Sequence, residues 1–239
     1  MTLWLIILIT ISGCDIPRDN PFDPKAYNYG IQNPIEPELP VLQITSFHSL
    51  QWFPFEDIYS MEILVSGASA ETADSADLVY TDTVFFALNR SGSIWRQSLE
   101  SSDFASENLF DLIGVQLYAY LYYGTNIVVA TEGACLYRII EDIPETVRPT
   151  GGELAPPAPE LQWEPAEALF NFTYTLKINH YAASGFITEV AAIENIPRDS
   201  TSYQYSDSLA AGSYYWTIAI VDIYNNISRS REAAFTVAP

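Results

Sequence analysis

Residues 209–222 read LAAGSYYWTIAIVD, a turn followed by a strand, and this stretch decides the fold class. Beyond Gly212, large apolar side chains recur at every second position: Tyr214, Trp216, Ile218 and Ile220. Side chains two residues apart on a strand lie on one face, so this period predicts a half-buried strand. Ala233, Phe235 and Val237 alternate in the same way near the end of the chain. The pattern favours an all-β fold.

An internal repeat places a related pattern in both halves of the chain. Residues 50–56, LQWFPFE, recur as residues 161–167, LQWEPAE, at an offset of 111 (161 − 50). The alternating strand that follows keeps this register, so Tyr59 and Val65 correspond to Phe170 and Leu176. Repetition at about 100 residues indicates duplicated domains, since solenoid repeats run about 20–50 residues. The repeat predicts that Trp52 and Trp163 are equivalent core residues.

The second half resembles a bacterial fibronectin type III-like domain. The residues that carry the resemblance are Leu161-x-Trp163-x-Pro165, Tyr174-x-Leu176-x-Ile178, Leu209-x-x-Gly212-x-Tyr214-Tyr215-Trp216 and Val221-Asp222-x-x-Asn225-Asn226-x-Ser228. The resemblance implies a Trp packed between two sheets and a Tyr whose hydroxyl fixes a corner by bonding to backbone. Alternation favours Tyr214 for that corner, whereas the spacing from Leu209 favours Tyr215, and both stay open.

The first half matches this pattern only in its opening strands. Residues 91–114 are interpreted as an insertion with a short helix around residues 102–112. The sixth strand is either Gln116–Tyr122 or Ile127–Thr131. The predicted architecture is therefore all-β, with two tandem fibronectin type III-like β-sandwiches behind a signal peptide and a Pro-rich tether. The predicted bounds are 1–13 for the signal peptide, 14–36 for the tether, 37–142 for the first sandwich with its insertion, and 143–239 for the second.

The N-terminal segment has the features of an export signal. Leu3–Ile11 is nearly all apolar, and it is too short for a membrane-spanning helix, which needs about 20 such residues. Ser12 and Gly13 then precede Cys14, and this stretch resembles the lipobox of bacterial lipoproteins. The resemblance implies that Cys14 carries acyl chains and becomes the first residue of the mature protein. The chain departs from the usual signal in having no Lys or Arg before the apolar run.

Composition excludes several classes of partner. The 239 residues include 10 Lys and Arg against 30 Asp and Glu, a net charge of −20. Nucleic acid binding needs a basic face, and docking on anionic lipid needs a basic cluster, so neither is expected. An apolar content of 49% is too high for an acidic disordered tail. With Cys14 acylated, Cys135 has no partner for an intrachain disulfide.

No catalytic motif is found in the sequence. It contains no His-Glu-x-x-His, Gly-x-Ser-x-Gly or Cys-x-x-Cys pattern, and no phosphate-binding loop. His48 and His180 are expected at turns or on the surface. The acidic groups, such as Glu141, Asp142 and Glu145, are expected on a solvated surface rather than around calcium. Neither enzymatic activity, nor a metal, nor a cofactor is expected.

The best candidates for a binding surface are three tyrosines. Tyr118, Tyr120 and Tyr122 alternate with Leu117, Ala119 and Leu121, so an inward aliphatic face would leave three aromatic rings on the other face. Such rings stack on sugars or anchor a protein partner. The expected function is a non-enzymatic binding or scaffold module of the bacterial cell envelope, periplasmic or surface-exposed, held at a membrane through Cys14. The alternative is a carbohydrate-binding surface protein or an accessory protein of glycan hydrolysis.

The Cys14→Ser variant tests the lipid anchor. Because the thiol is the acceptor of the diacylglycerol, the variant should remain an uncleaved precursor without acyl mass and should leave the membrane fraction. Intact-protein mass spectrometry and fractionation measure both effects, with Cys135→Ser as the matched control. An unchanged mass and unchanged fractionation of Cys14→Ser would falsify the lipidation.

Overall fold

A computed structural model describes residues 39–50, 57–81, 84–124, 127–182 and 184–238. These residues belong to one compact unit that begins at Leu39. The predicted signal peptide, Cys14, the tether through residue 36 and Trp52 all lie outside the described residues. The described chain is built almost entirely from strands, and the prediction of an all-β sandwich fold is confirmed.

The strands and helices have the following bounds. In the first half they are β1 Val41–Leu50, β2 Asp57–Ser66, α1 Ala68–Thr72, β3 Ser75–Thr81, β4 Val84–Ala87, β5 Asn89–Ser91, β6 Ile94–Glu100, two 3₁₀ turns at Ser101–Asp103 and Leu109–Leu112, β7 Gln116–Tyr123, β8 Ile127–Ala130 and β9 Ala134–Cys135. In the second half they are β10 Glu145–Arg148, β11 Glu153–Ala155, β12 Glu160–Glu164, β13 Phe172–Tyr181, β14 Ile187–Pro197, β15 Ser202–Gln204, β16 Gly212–Asp222, β17 Ile227–Arg229 and β18 Ala233–Val237.

The first sandwich packs two sheets against each other. One sheet has the order β1-β2-β6-β5, and the other has β4-β3-β7-β8, with β9 also paired to β7. The inward residues of β2, which include Met61 and Ile63, share one buried cluster with Leu117 and Leu121 of β7. Alternation along each strand thus supplies one apolar face to this core and leaves the other face outside.

The second sandwich follows the same principle. Strands β10, β12 and β15 form one sheet, while β14, β13 and β16 continue into β17 and β18 in the other, with β11 parallel to β18. Trp163 of β12 is buried against Tyr174 of β13, with their ring centroids 5.5 Å apart. Trp216 is also buried, and its indole nitrogen donates to the Pro149 carbonyl oxygen at 2.8 Å.

A single sheet runs through both sandwiches. Strand β1 of the first pairs in parallel with β17 of the second, and His48 lies opposite Ser228. The pairing joins the sheet of β1, β2 and β6 to the sheet of β16 and β13. Two sandwiches that looked separable in the sequence therefore share backbone hydrogen bonds, which the internal repeat did not predict.

The equivalence of Trp52 and Trp163 drawn from the repeat stays a prediction, because Trp52 lies outside the described residues. Strands β1 and β2 are antiparallel neighbours in one sheet, whereas β12 and β13 lie in different sheets. At an offset of 111, however, β12 corresponds to residues 49–53, of which only the first two belong to β1. Period-two alternation fixes which face of a strand is buried, but it does not specify the neighbouring strand.

The region interpreted as an insertion contributes to the core. Strand β6 pairs with β2 along Ser60–Val65, and its Trp95 and Leu99 are buried. Only the two short 3₁₀ turns fall where a helix was expected. The sixth strand is Gln116–Tyr123, because β7 lies in the middle of its sheet between β3 and β8.

Tyr214 is the corner tyrosine. Its hydroxyl donates to the carbonyl oxygen of Ala210 at 2.9 Å, and its ring is buried against Phe235. Tyr215 points to the other face of β16 and is half-buried. The prediction of Tyr214 from the alternation of the strand is therefore confirmed, and the prediction of Tyr215 from the spacing from Leu209 is wrong.

Replacing the corner hydroxyl should weaken the second sandwich. Tyr214→Phe leaves the Ala210 carbonyl without its donor, and a lost hydrogen bond of this kind costs about 1 kcal/mol of unfolding free energy. Tyr215→Phe is the matched control and should change stability by less than about 0.5 kcal/mol. Urea unfolding followed by tryptophan fluorescence measures both. Equal effects of the two variants would contradict the assignment.

Candidate functional site

Three rows of side chains cover the outer face of the β4-β3-β7-β8 sheet. Cross-strand register places these residues together: Phe85, Val79 and Tyr118 in one row, Ala87, Asp77, Tyr120 and Ala130 in the next, and Ser75, Tyr122 and Val128 in the third. We call this surface the tyrosine face. At about 3.3 Å of rise per residue and 4.8 Å between strands, it measures roughly 13 by 14 Å.

The tyrosine face is open at its borders and denser at its centre. Phe85, Tyr118 and Val128 are exposed, while Tyr120 and Tyr122 are half-buried. On the opposite side of β7, Leu117, Ala119 and Leu121 are fully buried. The three predicted tyrosines thus lie on one outward face, and the sequence analysis missed Phe85, Val79 and Val128 because they come from other strands.

The Asp77 carboxylate gives this aromatic surface a polar centre. Asp77 lies directly across from Tyr120 and beside Tyr122. Burial raises the pKa of Tyr122, and the Asp77 charge and hydrogen bond raise it further. The Tyr122 hydroxyl donates a hydrogen bond to the Asp77 carboxylate. The face offers aromatic rings around an acceptor, which suits a ligand with apolar faces and hydroxyl or cationic donors.

The two histidines differ in their exposure. His48 is 1% exposed on β1, and His180 is half-buried on β13. His48 follows Leu42, Ile44 and Ser46 at period two, and all four face the interior. The expectation of a turn or surface histidine is therefore wrong for His48, whereas His180 is partly exposed. The inward alternation of β1 was the signal that could have placed His48.

His48 lies between a serine and an aspartate, but the arrangement does not suit nucleophilic catalysis. Its Nδ1 lies 2.9 Å from the Ile140 carbonyl oxygen and 3.1 Å from Ser228 Oγ, and its Nε2 lies 3.4 Å from Asp57 Oδ1. A carbonyl oxygen can only accept, so Nδ1 carries the hydrogen and cannot take a proton from Ser228. Ser228 is also fully buried, out of reach of a substrate.

A cleft of about 560 Å³ opens beside His48 at the joint between the sandwiches. Its lining includes Tyr59, which stacks on His48 at 4.1 Å, and four carboxylates: Asp57, Glu141, Asp142 and Glu145. Burial, Asp57 and Glu141 all raise the pKa of Tyr59. Among the described residues no group of three or more His, Cys, Asp or Glu side chains converges as metal ligands would.

The joint itself is built on the buried Asp222 carboxylate. Its Oδ1 accepts from the backbone N–H groups of Tyr224 and Asn226, at 2.9 and 3.0 Å. Its Oδ2 accepts from Asn226 Nδ2 at 3.1 Å and from Arg138 Nη1 at 3.0 Å. Asn226 Oδ1 in turn accepts from the Ser46 N–H at 2.8 Å, and Ser46 Oγ donates to the Arg138 carbonyl. We call these four residues, Ser46, Arg138, Asp222 and Asn226, the joint network.

Comparison with solved structures found similarity at low sequence identity. The fibronectin(III)-like modules of Clostridium thermocellum CbhA share 9% sequence identity over 83% of this chain and 93% of theirs, with a TM-score of 0.32. A marsupial T cell receptor shares 10% identity over 82% of this chain and 73% of its own, with a TM-score of 0.29. No family model matches the chain, and no curated protein matches it.

The structure describes only one of the two cysteines. Cys135 lies on β9 as a free, half-buried cysteine, and Cys14 is outside the described residues. No helix in the described ranges is long and apolar enough to cross a membrane. The lipid attachment at Cys14 therefore stays a prediction.

Removing the Asp222 carboxylate should loosen the joint. Asp222→Ala takes away the acceptor of four hydrogen bonds and leaves Arg138 unpaired, and breaking a buried ion pair from one side costs about 3 kcal/mol or more of unfolding free energy. Asp57→Ala, whose carboxylate is exposed, is the control and should cost less than about 1 kcal/mol. Calorimetry should show the variant melting earlier and in two steps. If Asp222→Ala were as stable as Asp57→Ala, the Asp222 carboxylate would not be what holds the joint together.

Proposed function

We propose that this chain is a lipid-anchored protein of the bacterial cell envelope that acts as a non-enzymatic binding module, with the tyrosine face as its ligand surface. The observation that carries the proposal is the open aromatic face on the outer side of β7, beside a fully buried aliphatic face. Exposing an aromatic sheet surface of this kind to water is unfavourable in free energy. A ligand that covers the surface removes this unfavourable exposure.

The anchor rests on the sequence around Cys14. The apolar run of residues 3–11, the small residues Ser12 and Gly13, and Cys14 together support export followed by acylation. The partner in this case is a membrane, held through acyl chains on Cys14. One acyl chain gives marginal binding and two give stable binding, so a diacylated Cys14 suffices without any basic cluster.

The chemistry of the face favours a neutral or cationic ligand. The net charge of −20 and the central Asp77 repel anionic ligands such as acidic glycans. Aromatic rings pack against the apolar faces of sugar rings, and Asp77 accepts hydrogen bonds from their hydroxyl groups. This combination favours a neutral glycan chain as the ligand. The aromatic rings around Asp77 are the observation that supports a carbohydrate-binding protein. A protein of the envelope with an apolar, basic surface is the other ligand class.

The triple variant Tyr118→Ser, Tyr120→Ser, Tyr122→Ser tests the face. The soluble chain without its signal peptide should be retained by neutral insoluble polysaccharides or by a glycan array, and the variant should lose that retention while its melting temperature stays nearly unchanged. Tyr181→Ser is the matched control, because Tyr181 is an exposed strand tyrosine of the other sandwich. It should bind like the parent.

One outcome would overturn the proposed ligand surface, and another would require a second pair of variants. If the parent binds no neutral glycan and no envelope protein, the face has no ligand of the proposed classes. If the triple variant is strongly destabilised, the half-buried Tyr120 and Tyr122 are structural. The pair Phe85→Ser and Tyr118→Ser, both exposed, then repeats the binding test without touching them.

A further inference from the structure

One charged side chain, that of Asp77, lies among the residues that define the tyrosine face. Its neighbours on β3, Ala76 and Leu78, are buried, so the alternation of the strand directs Asp77 outward. Cross-strand register places Asp77 between Ala87 on β4 and Tyr120 on β7. The other residues that define the face carry no charge. Asp77 is therefore the residue through which this surface can select a ligand by charge.

Asp77 has no cationic partner within the part of the chain that the structure describes. The ion pairs of that part are His48 with Asp57, Arg138 with Asp222, Lys177 with Glu189, and Arg229 with Glu232. The Tyr122 hydroxyl gives Asp77 a neutral donor. Because Asp77 is half-buried and its carboxylate has several acceptor sites, solvent supplies the remaining donors in the free protein.

A ligand that covers the tyrosine face excludes this solvent from Asp77. Taking a carboxylate out of water is unfavourable unless an opposite charge or several hydrogen bonds replace the water. A sugar hydroxyl supplies a hydrogen bond without a charge. A protonated amine supplies a charge-assisted hydrogen bond together with the opposite charge. The amine is therefore the better match for the centre of the face.

The surroundings of Asp77 also favour a cation. Tyr120 lies directly across from it, and Tyr122 lies in the next row. Aromatic rings attract cations placed over their faces. The net charge of −20 adds a field that attracts cationic ligands from solution. The carboxylate, the rings and the field therefore act in the same direction.

We propose that Asp77 makes the tyrosine face prefer glycan chains with free, protonated amino groups over chains whose amino groups are acetylated. The inference rests on the proposed function, in which this face binds a glycan, and it adds the charge that the preferred glycan carries. Acetylation turns the amine into a neutral amide, so a single covalent group separates the two ligands. The neutral form still packs against the tyrosine rings, and it binds more weakly.

Calorimetric titration of the mature soluble chain tests this preference. The probes are chitin oligosaccharides, in which the amines are acetylated, and chitosan oligosaccharides of the same length, in which the amines are free. The titration is done at about pH 6, where amines are protonated and carboxylic acids are ionised. The parent should bind the free-amine form about tenfold more tightly, because hydrogen bonds between opposite charges are stronger than those to a neutral donor.

The Asp77→Asn variant should bind the two probes with nearly equal affinity. The asparagine keeps an oxygen that accepts from the Tyr122 hydroxyl, and it removes the charge. Glu160→Gln is the matched control, because it removes an exposed carboxylate from β12 of the other sandwich. Both variants change the net charge by the same amount, so the control separates the local charge from the overall field. It should keep the preference of the parent.

A second variant tests the same point with Asp77 in place, in case Asp77→Asn does not fold. Ala87 is exposed on β4, at the end of its sheet, and lies directly opposite Asp77. Ala87→Lys places an ammonium group within reach of the carboxylate across the two strands. The variant should lose the preference for the free-amine probe, because Asp77 then has a cationic partner within the protein.

The outcomes separate this inference from the proposed function. A parent that binds neither probe overturns both, since the face then has no glycan of the proposed kind. A parent that binds the two probes equally keeps the proposed function and overturns the preference. If Asp77→Asn and Glu160→Gln reduce the preference equally, the overall charge is its cause, and the role of Asp77 is overturned. A preference that persists in Ala87→Lys overturns it as well.

Discussion

The arrangement of the two sandwiches depends on one buried carboxylate, that of Asp222. An unpaired charge at this depth would cost several kcal/mol, so its burial is tolerable only with donors in place. Three donors come from its own turn, through Tyr224 and Asn226, and the fourth is Arg138 from the segment that leaves the first sandwich. The turn therefore reaches its folded form together with the joint, because the same carboxylate needs both.

The other contacts at the joint follow from this placement. Once Asp222 holds Asn226, the Asn226 amide oxygen meets the Ser46 N–H, and β17 lies in register beside β1. His48 and Ser228 then come together under the Ile140 carbonyl. Backbone pairing between the sandwiches is thus secured by side chains that also close a turn within one of them. At the joint Asn226, Ser228 and Ser230 are buried, whereas a cleft opens beside Tyr59.

The sequence predicted faces better than it predicted neighbours. Alternation in β16 and β7 correctly indicated which side chains are buried, and it selected Tyr214 over Tyr215 for the corner. It could not show that β2 pairs with β1 rather than crossing to the other sheet, since a strand of either kind has the same period. The sequence could not predict the contacts at the joint for a related reason. Ser46 and Asn226 are 180 residues apart, and no local pattern records such a pairing. The tyrosine row was predicted as a row, but its surroundings on β3 and β4 come from strands without any shared motif.

Repulsion between the acidic surfaces of two copies opposes the tendency of the exposed aromatic surfaces to self-associate. Several of the few cations are used within the fold: Arg138 bonds to Asp222, Arg90 and Arg198 donate to backbone carbonyls, and Lys177 pairs with Glu189. The carboxylates that remain give the molecule a field that repels its own copies. Open apolar surfaces normally invite self-association, and so does a long edge strand such as β14. Repulsion between copies counters aggregation through the tyrosine face, and the same field disfavours anionic molecules at that surface.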